Sequence, residues 1–248
     1  MHEEQPEPES RTLRLPVSDG WLHADMALPP EATGLVVFAH GSGSSRHSPR
    51  NRYVARTLVD RGLATMLVDL LTEDEEIVDR QLGHLRFDIA RLGRRTVAIV
   101  DWLDRQEELA HLPIGIFGAS TGAAAALVGA AERPDIVSAV VSRGGRPDLA
   151  GPALARVVAP TLLLVGSLDE PVIEMNRDAQ RQMTAVAQLE IVPGASHLFE
   201  EPGTLELVAA RAGGWFERYL DTHRAGHRAA HRAAPRGPFA SAWHRHFM

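Results

Sequence analysis

Residues 34–39 read Gly-Leu-Val-Val-Phe-Ala, an apolar run of strand length. Related runs return at 63–70, 113–117, 136–142 and 160–165. A strand of that kind has no polar side to turn to water, so both of its faces must be covered. Segments with helical patterning stand between the runs: Tyr53–Arg61, closed by Gly62, then Arg86–Leu103, Ser120–Ala131 and Ile173–Val186. A further strand is expected at Gln188–Val192 and a last helix at Thr204–Tyr219. Repeated strand–helix units specify a mostly parallel sheet with helices on both faces. Ahead of them, Thr12–Val17 and Trp21–Leu28 alternate as two antiparallel strands, with Asp19-Gly20 as the hairpin turn. Ligands of such sheets bind beyond the carboxyl ends of the strands, so the loops there are where function is sought.

Composition removes several chemistries. The chain has 248 residues and no cysteine, which excludes disulfides, thiolate metal sites and a cysteine nucleophile. It also has no lysine, so Schiff-base chemistry and a P-loop lysine are excluded. The net charge of -6 argues against nucleic acid as a partner. No run reaches the roughly 20 apolar residues of a membrane span, and no secretory h-region opens the sequence. The expectation is a soluble cytoplasmic protein with no membrane partner.

Charge divides the chain unevenly. Residues 222–248 carry five arginines and no acid, leaving 21 arginines against 32 acids before them. The organisation read from this is a flexible lead-in over 1–10, one domain over 11–221 and a His/Arg-rich extension over 222–248. His223, His227 and His231 recur every four residues, a spacing that suits a metal only on an ordered helix. Pro235, Gly237 and Pro238 follow, and a loosely packed extension is the favoured reading. Its aromatic end, Phe239, Trp243 and Phe247, keeps a homodimer open.

The sharpest motif is Gly118-Ala119-Ser120-Thr121-Gly122, set between the strand run IGIF and the helical run AAAALVGAA. This is the nucleophile-elbow pattern in the strand–turn–helix context it needs. The tight turn holds the serine hydroxyl outward, and only residues without bulk fit beside it. A serine needs a base, and the base an orienting acid. Asp169 follows the strand ending at Val165, and His197 follows the last strand, giving the chain order serine, acid, histidine. Glu170 is the alternative acid. Backbone N–H groups of Thr121 and of Ser42, in the loop His40-Gly41-Ser42-Gly43, are the expected oxyanion donors. His40 itself reads as a structural hydrogen-bonder.

With these motifs in place the chain resembles a serine α/β-hydrolase of the dienelactone hydrolase family. The resemblance runs from about Leu13 to Leu220 and rests on HGSGSS, GASTG, SLDEPV and GASHLF. It implies an α/β-hydrolase fold and acyl transfer with no cofactor and no metal, and because only Arg143–Ala159 separates two of the strand runs, no large lid is expected. Family members proper carry a cysteine nucleophile. Ser120 at that position favours general carboxylesterase chemistry on small, water-soluble esters. The segments HGSGSSRHSPRN and SRGGRPDLA are similar to serine-bearing relatives, some of them fused to phosphoribosyltransferase domains.

Arg46, Arg50, Arg143 and Arg146 all follow strand ends on the catalytic side, where guanidinium groups can clamp a carboxylate or phosphate of a substrate. Salt bridges and loop anchoring are the competing role for all four. The same triad also serves thioesterases, peptidases and acyltransferases, and a catalytically silent binding module is the reading from another class.

Overall fold

The computed structural model describes residues 7–233, with side chains described as far as Leu220. Eight strands form one sheet: β1 (Glu9–Val17), β2 (Gly20–Leu28), β3 (Leu35–Ala39), β4 (Ala64–Val68), β5 (Ile114–Ala119), β6 (Val137–Arg143), β7 (Thr161–Gly166) and β8 (Ala187–Val192). Their order across the sheet is β1-β2-β4-β3-β5-β6-β7-β8. β1 and β2 pair antiparallel, β2 runs antiparallel to β4, and every later pairing is parallel.

Six helices accompany the sheet among the described residues: α1 (Pro49–Val59), α2 (Glu73–Leu82), α3 (Ile89–Asp104), α4 (Thr121–Glu132), α5 (Glu170–Gln182) and α6 (Thr204–Ala233). Every residue of β3, β5, β6 and β7 is buried, as strands covered on both faces require. On one face Phe38, Phe117 and Val141 pack with Val54 and Leu58 of α1 and with Val208 and Phe216 of α6. On the other face Val37 joins Ile99 of α3, and Ile116 and Val140 join Leu127 of α4. The expected mostly parallel sheet, two antiparallel leading strands and helical layers are present. No large lid interrupts them: between β6 and β7 lies only a short 3-10 segment, Pro147–Arg156, kinked at Gly151.

Several local boundaries differ from the sequence reading. β1 begins at Glu9, so residues 9 and 10 of the expected lead-in are strand paired with Leu28 and Ala27. The hairpin turn is Ser18-Asp19, because Gly20 already pairs with Val17. α1 begins at Pro49, capped by the Ser48 hydroxyl, and its C-cap is Asp60, two residues before Gly62. α5 begins at Glu170 and stops at Gln182.

The acidic stretch 72–83, for which the run pattern alone predicts no complete helix, forms α2 with both ends capped. The Thr72 hydroxyl accepts the Glu75 N–H and the Glu75 carboxylate accepts the Thr72 N–H, closing a capping box. Gly83, left-handed at φ 67°, ends it. α6 continues as helix through residue 233, beyond the expected boundary at 221. The side chains of His223, His227 and His231, and all of 234–248 with Phe239, Trp243 and Phe247, lie outside the described residues.

Candidate active site

The loops after β3, β5, β6, β7 and β8 meet at one edge of the sheet. Ser120 stands between β5 and α4 at φ 50°, a left-handed conformation that costs a non-glycine residue on the order of 1–3 kcal/mol. The turn is held from both sides. The Ser120 N–H donates to the Arg143 carbonyl at 3.2 Å, and the Ser120 carbonyl accepts from the N–H groups of Ala123 and Arg146, each at 3.1 Å. The elbow glycines answer to close packing. A methyl on Gly118 would lie 2.5 Å from Ala123 Cα. One on Gly122 would lie 2.7 Å from the Ala39 carbonyl carbon, and nearer still to the carbonyl oxygens of Ala39 and His40.

His197 follows β8 and Asp169 follows β7, and the two side chains meet with Nδ1 of the imidazole 2.6 Å from Oδ2 of the carboxylate. Asp169 occupies the N-cap position of α5, yet its side chain caps no helical N–H. The carboxylate is thereby left to the imidazole, and the helix-capping role a strand-end aspartate often fills is not its role here. Glu170, the alternative acid, is the exposed first residue of α5. Gly144 lies between the elbow and the histidine. A methyl there would be 3.1 Å from the His197 carbonyl oxygen and 3.6 Å from its ring carbon Cε1. Gly144 directly follows Arg143, whose carbonyl binds the Ser120 N–H, so this loop joins the serine and histidine segments at the same sheet edge.

The loop after β3 passes against the serine: a methyl on Gly41 would sit 3.0 Å from Ser120 Cβ. His40 fixes that loop. Its Nε2 accepts the Leu70 N–H at 3.1 Å, which puts the ring proton on Nδ1, where it donates to the Gly41 carbonyl at 3.0 Å. Neither the Ser42 nor the Thr121 N–H meets an acceptor among the described residues.

Sequence reasoning missed one wall of the site. Ser42 and Thr121 line a recess together with Leu71, Glu76, Asp79 and Arg86. Burial pushes the Asp79 carboxyl up. Hydrogen bonds from the Arg86 and Leu85 backbones and the Arg86 guanidinium outweigh this and hold it below the usual carboxylate range. That ion pair locks the end of α2 to the turn Leu85–Phe87. The available signal was the capping sequence at Thr72 and Glu75.

The four arginines separate by partner. Arg46 is engaged twice by Asp69, through its N–H and its guanidinium, and lies 3.5 Å from Asp25. Arg146 forms a two-pronged pair with Asp148 at 2.9 and 2.8 Å. Arg50 reaches the exposed Glu200 at 3.3 Å. Arg143 has no carboxylate partner among the described residues.

A family model described as "Dienelactone hydrolase family" matches residues 22–225. A solved dienelactone hydrolase from Anabaena variabilis is 56% identical, with a TM-score of 0.85 over 87% of this chain and all of the other. Est1E from Butyrivibrio proteoclasticus shares the fold at 18% identity, with a TM-score of 0.67 over 88% of this chain and 99% of that one. Two curated Mycobacterium tuberculosis proteins named putative phosphoribosyl transferases are 56% identical over 195 residues, 79% of this chain and 43% of theirs. The chain thus spans less than half the length of the curated relatives it matches. No helix among the described residues is long and apolar enough to cross a membrane.

Proposed function

Because the chain belongs to the dienelactone hydrolase family, we propose that it is a serine hydrolase cleaving small, water-soluble carboxylic esters through an acyl-enzyme on Ser120. The observation that carries this reading is the 2.6 Å contact between Asp169 and His197, made at the edge of the sheet where the strained Ser120 elbow stands. With Nδ1 of His197 donating to Asp169, Nε2 is the nitrogen left to act as base.

In this mechanism Ser120 Oγ attacks the ester carbonyl while His197 Nε2 takes the hydroxyl proton, and Asp169 stabilises the imidazolium that results. The carbonyl oxygen becomes an oxyanion held by the N–H groups of Ser42 and Thr121, each worth about 2.7–4 kcal/mol of barrier. The carbon–oxygen bond to the alcohol breaks as His197 returns the proton to the departing oxygen. Water then attacks the acyl-enzyme by the same route, giving the carboxylic acid and free Ser120. Protonated His197 cannot serve as base, so activity falls in acid.

Only the short 3-10 segment Pro147–Arg156 lies between β6 and β7, which supports an open site and favours small, water-soluble esters. The phosphoribosyl transferase name of the curated relatives is read as belonging to the more than half of their length that this chain does not match. A catalytically silent module would have no need to keep the Asp169 carboxylate on the imidazole.

The test is labelling with a fluorophosphonate probe, followed by a panel of esters of graded chain length and charge. Covalent labelling of the wild type and none of Ser120→Ala, with hydrolysis lost in that variant, is expected. A folded wild-type protein that is not labelled, or a Ser120→Ala variant that still hydrolyses esters, refutes the proposal.

A further inference from the structure

Two arginines are buried among the described residues, and they are treated oppositely. Arg95 pairs with Asp19 at 2.6 Å and with Glu75 at 2.9 Å. Arg143, 8% exposed, has no acceptor among the described residues: its Nε and Nη1 are sealed from solvent without a hydrogen bond, and its cation lies 5.8 Å over the Phe199 ring. Burial, and after it the neighbouring Arg50 cation, lower this guanidinium to about 10. It is therefore still charged near neutrality. A buried, uncompensated charge costs several kcal/mol and is retained where something else supplies the opposite sign.

The position of this charge gives it meaning. Arg143 ends β6, in register with Ala119 of β5, and its own carbonyl holds the Ser120 N–H. Its side chain lies by Phe199, two residues beyond His197, and is flanked by Arg50 from the first turn of α1. Arg50 Nε is likewise sealed without a partner. Its one ionic contact among the described residues is the 3.3 Å reach to Glu200, whose side chain is 64% exposed, a pairing worth little. The positive end of α1 adds to the same field.

We infer that Arg143 and Arg50 form an oxyanion-binding subsite beside Ser120, which receives a phosphate group carried on the ester substrate. This rests on the ester-hydrolase reading of Ser120. Two features favour phosphate over carboxylate. A carboxylate is gripped by two N–H groups along one edge of a guanidinium, whereas Nε and Nη1 of Arg143 are both sealed, so neither paired edge is fully open. A tetrahedral group can gather single donors from two guanidinium groups instead. A phosphate monoester also carries close to two negative charges at neutral pH, which matches two cations of which one is weakly compensated and the other not at all.

The experiment compares acetyl esters of glycerol, glycerate and glycerol phosphate, and measures calorimetrically the binding of inorganic phosphate to the Ser120→Ala protein. Charge-assisted hydrogen bonds of about 1.5–3 kcal/mol imply a preference of about 10–150-fold in kcat/KM for the phosphate ester over the neutral one. That ratio should fall towards one in Arg143→Met, together with phosphate binding, and should persist in Arg177→Gln, whose site is exposed on α5. Thermal melting of each variant establishes folding. Should Arg143→Met not fold, Arg50→Gln gives the same ratio and binding readouts. A wild-type ratio near one, a preference for the glycerate ester, or a phosphate preference that survives the Arg143 substitution overturns the inference. Neutral ester hydrolysis without phosphate binding sinks the subsite alone. Arg143-dependent phosphate binding with no ester cleaved sinks the hydrolase reading and leaves the subsite standing.

Discussion

Asp169→Asn removes one charge at nearly constant volume. In the wild type the Asp169 carboxylate lies 2.6 Å from His197 Nδ1 and receives no helical N–H from α5. It therefore decides where the imidazole proton resides. An asparagine can turn its amide NH2 towards Nδ1, and the ring proton then sits on Nε2, the nitrogen required as base. The counter-charge that stabilises the imidazolium disappears as well. For this geometry the loss is about 10⁴-fold in kcat, which at about 1.36 kcal/mol per decade is about 5.4 kcal/mol of barrier. The assay is burst and steady-state hydrolysis of a nitrophenyl acetate, with thermal melting to verify folding. Glu170→Gln is the informative comparison, because Glu170 neighbours Asp169 but is exposed at the start of α5, and its rate should hardly change. A folded Asp169→Asn enzyme within about tenfold of wild type, or a collapse of activity in Glu170→Gln instead, refutes the reasoning.

Gly122→Ala places a methyl 2.7 Å from the Ala39 carbonyl carbon, so α4 must draw away from β3. A loss of about 1–3 kcal/mol in stability and a fall in kcat, as Thr121 leaves the Ser42 loop, are expected; an unchanged melting temperature and rate would falsify the packing argument. Asn176 is fully buried and donates to the carbonyls of Gly145 at 3.0 Å and Val172 at 2.8 Å, tying α5 to the loop that follows β6. Asn176→Ala strands the buried Gly145 carbonyl and should cost about 1–3 kcal/mol in denaturant unfolding. The Arg133 guanidinium, which meets Asp101 at 2.5 and 2.7 Å, holds that carboxyl below its ordinary value against the opposing effect of burial. A depressed folded value gives stability that is present above the unfolded value of 3.8 and lost as pH falls through the folded one. Asp101→Asn should therefore be about 1 kcal/mol less stable at neutral pH and converge with wild type in strong acid; parallel melting curves down to that range would show that the pair contributes nothing.

The sheet was legible because its signal is local. LVVFA and TLLLV can be satisfied only by cover on both faces, and all of β3 and β7 is buried accordingly. The meeting of the segments that carry Ser120, Asp169 and His197 was legible for a related reason: each lies in the turn or loop after a strand of that sheet, and parallel strands bring their following loops to one edge. Helix α2 was harder to read. Glu73, Asp74, Glu75 and Glu76 resemble a solvated run until the Thr72 capping box and the Asp79–Arg86 pair are both formed.

The chain by itself determined that a serine stands on a glycine-flanked bend, because the limit there is the bulk of immediate neighbours. Tertiary structure alone decided what each arginine does. Arg46 is neutralised by Asp69, 23 positions away, while Arg143 meets no acid among the described residues. The charge balance around a guanidinium depends on which distant carboxylates the packed helices and loops deliver within a few ångströms, and neither composition nor spacing records that distance.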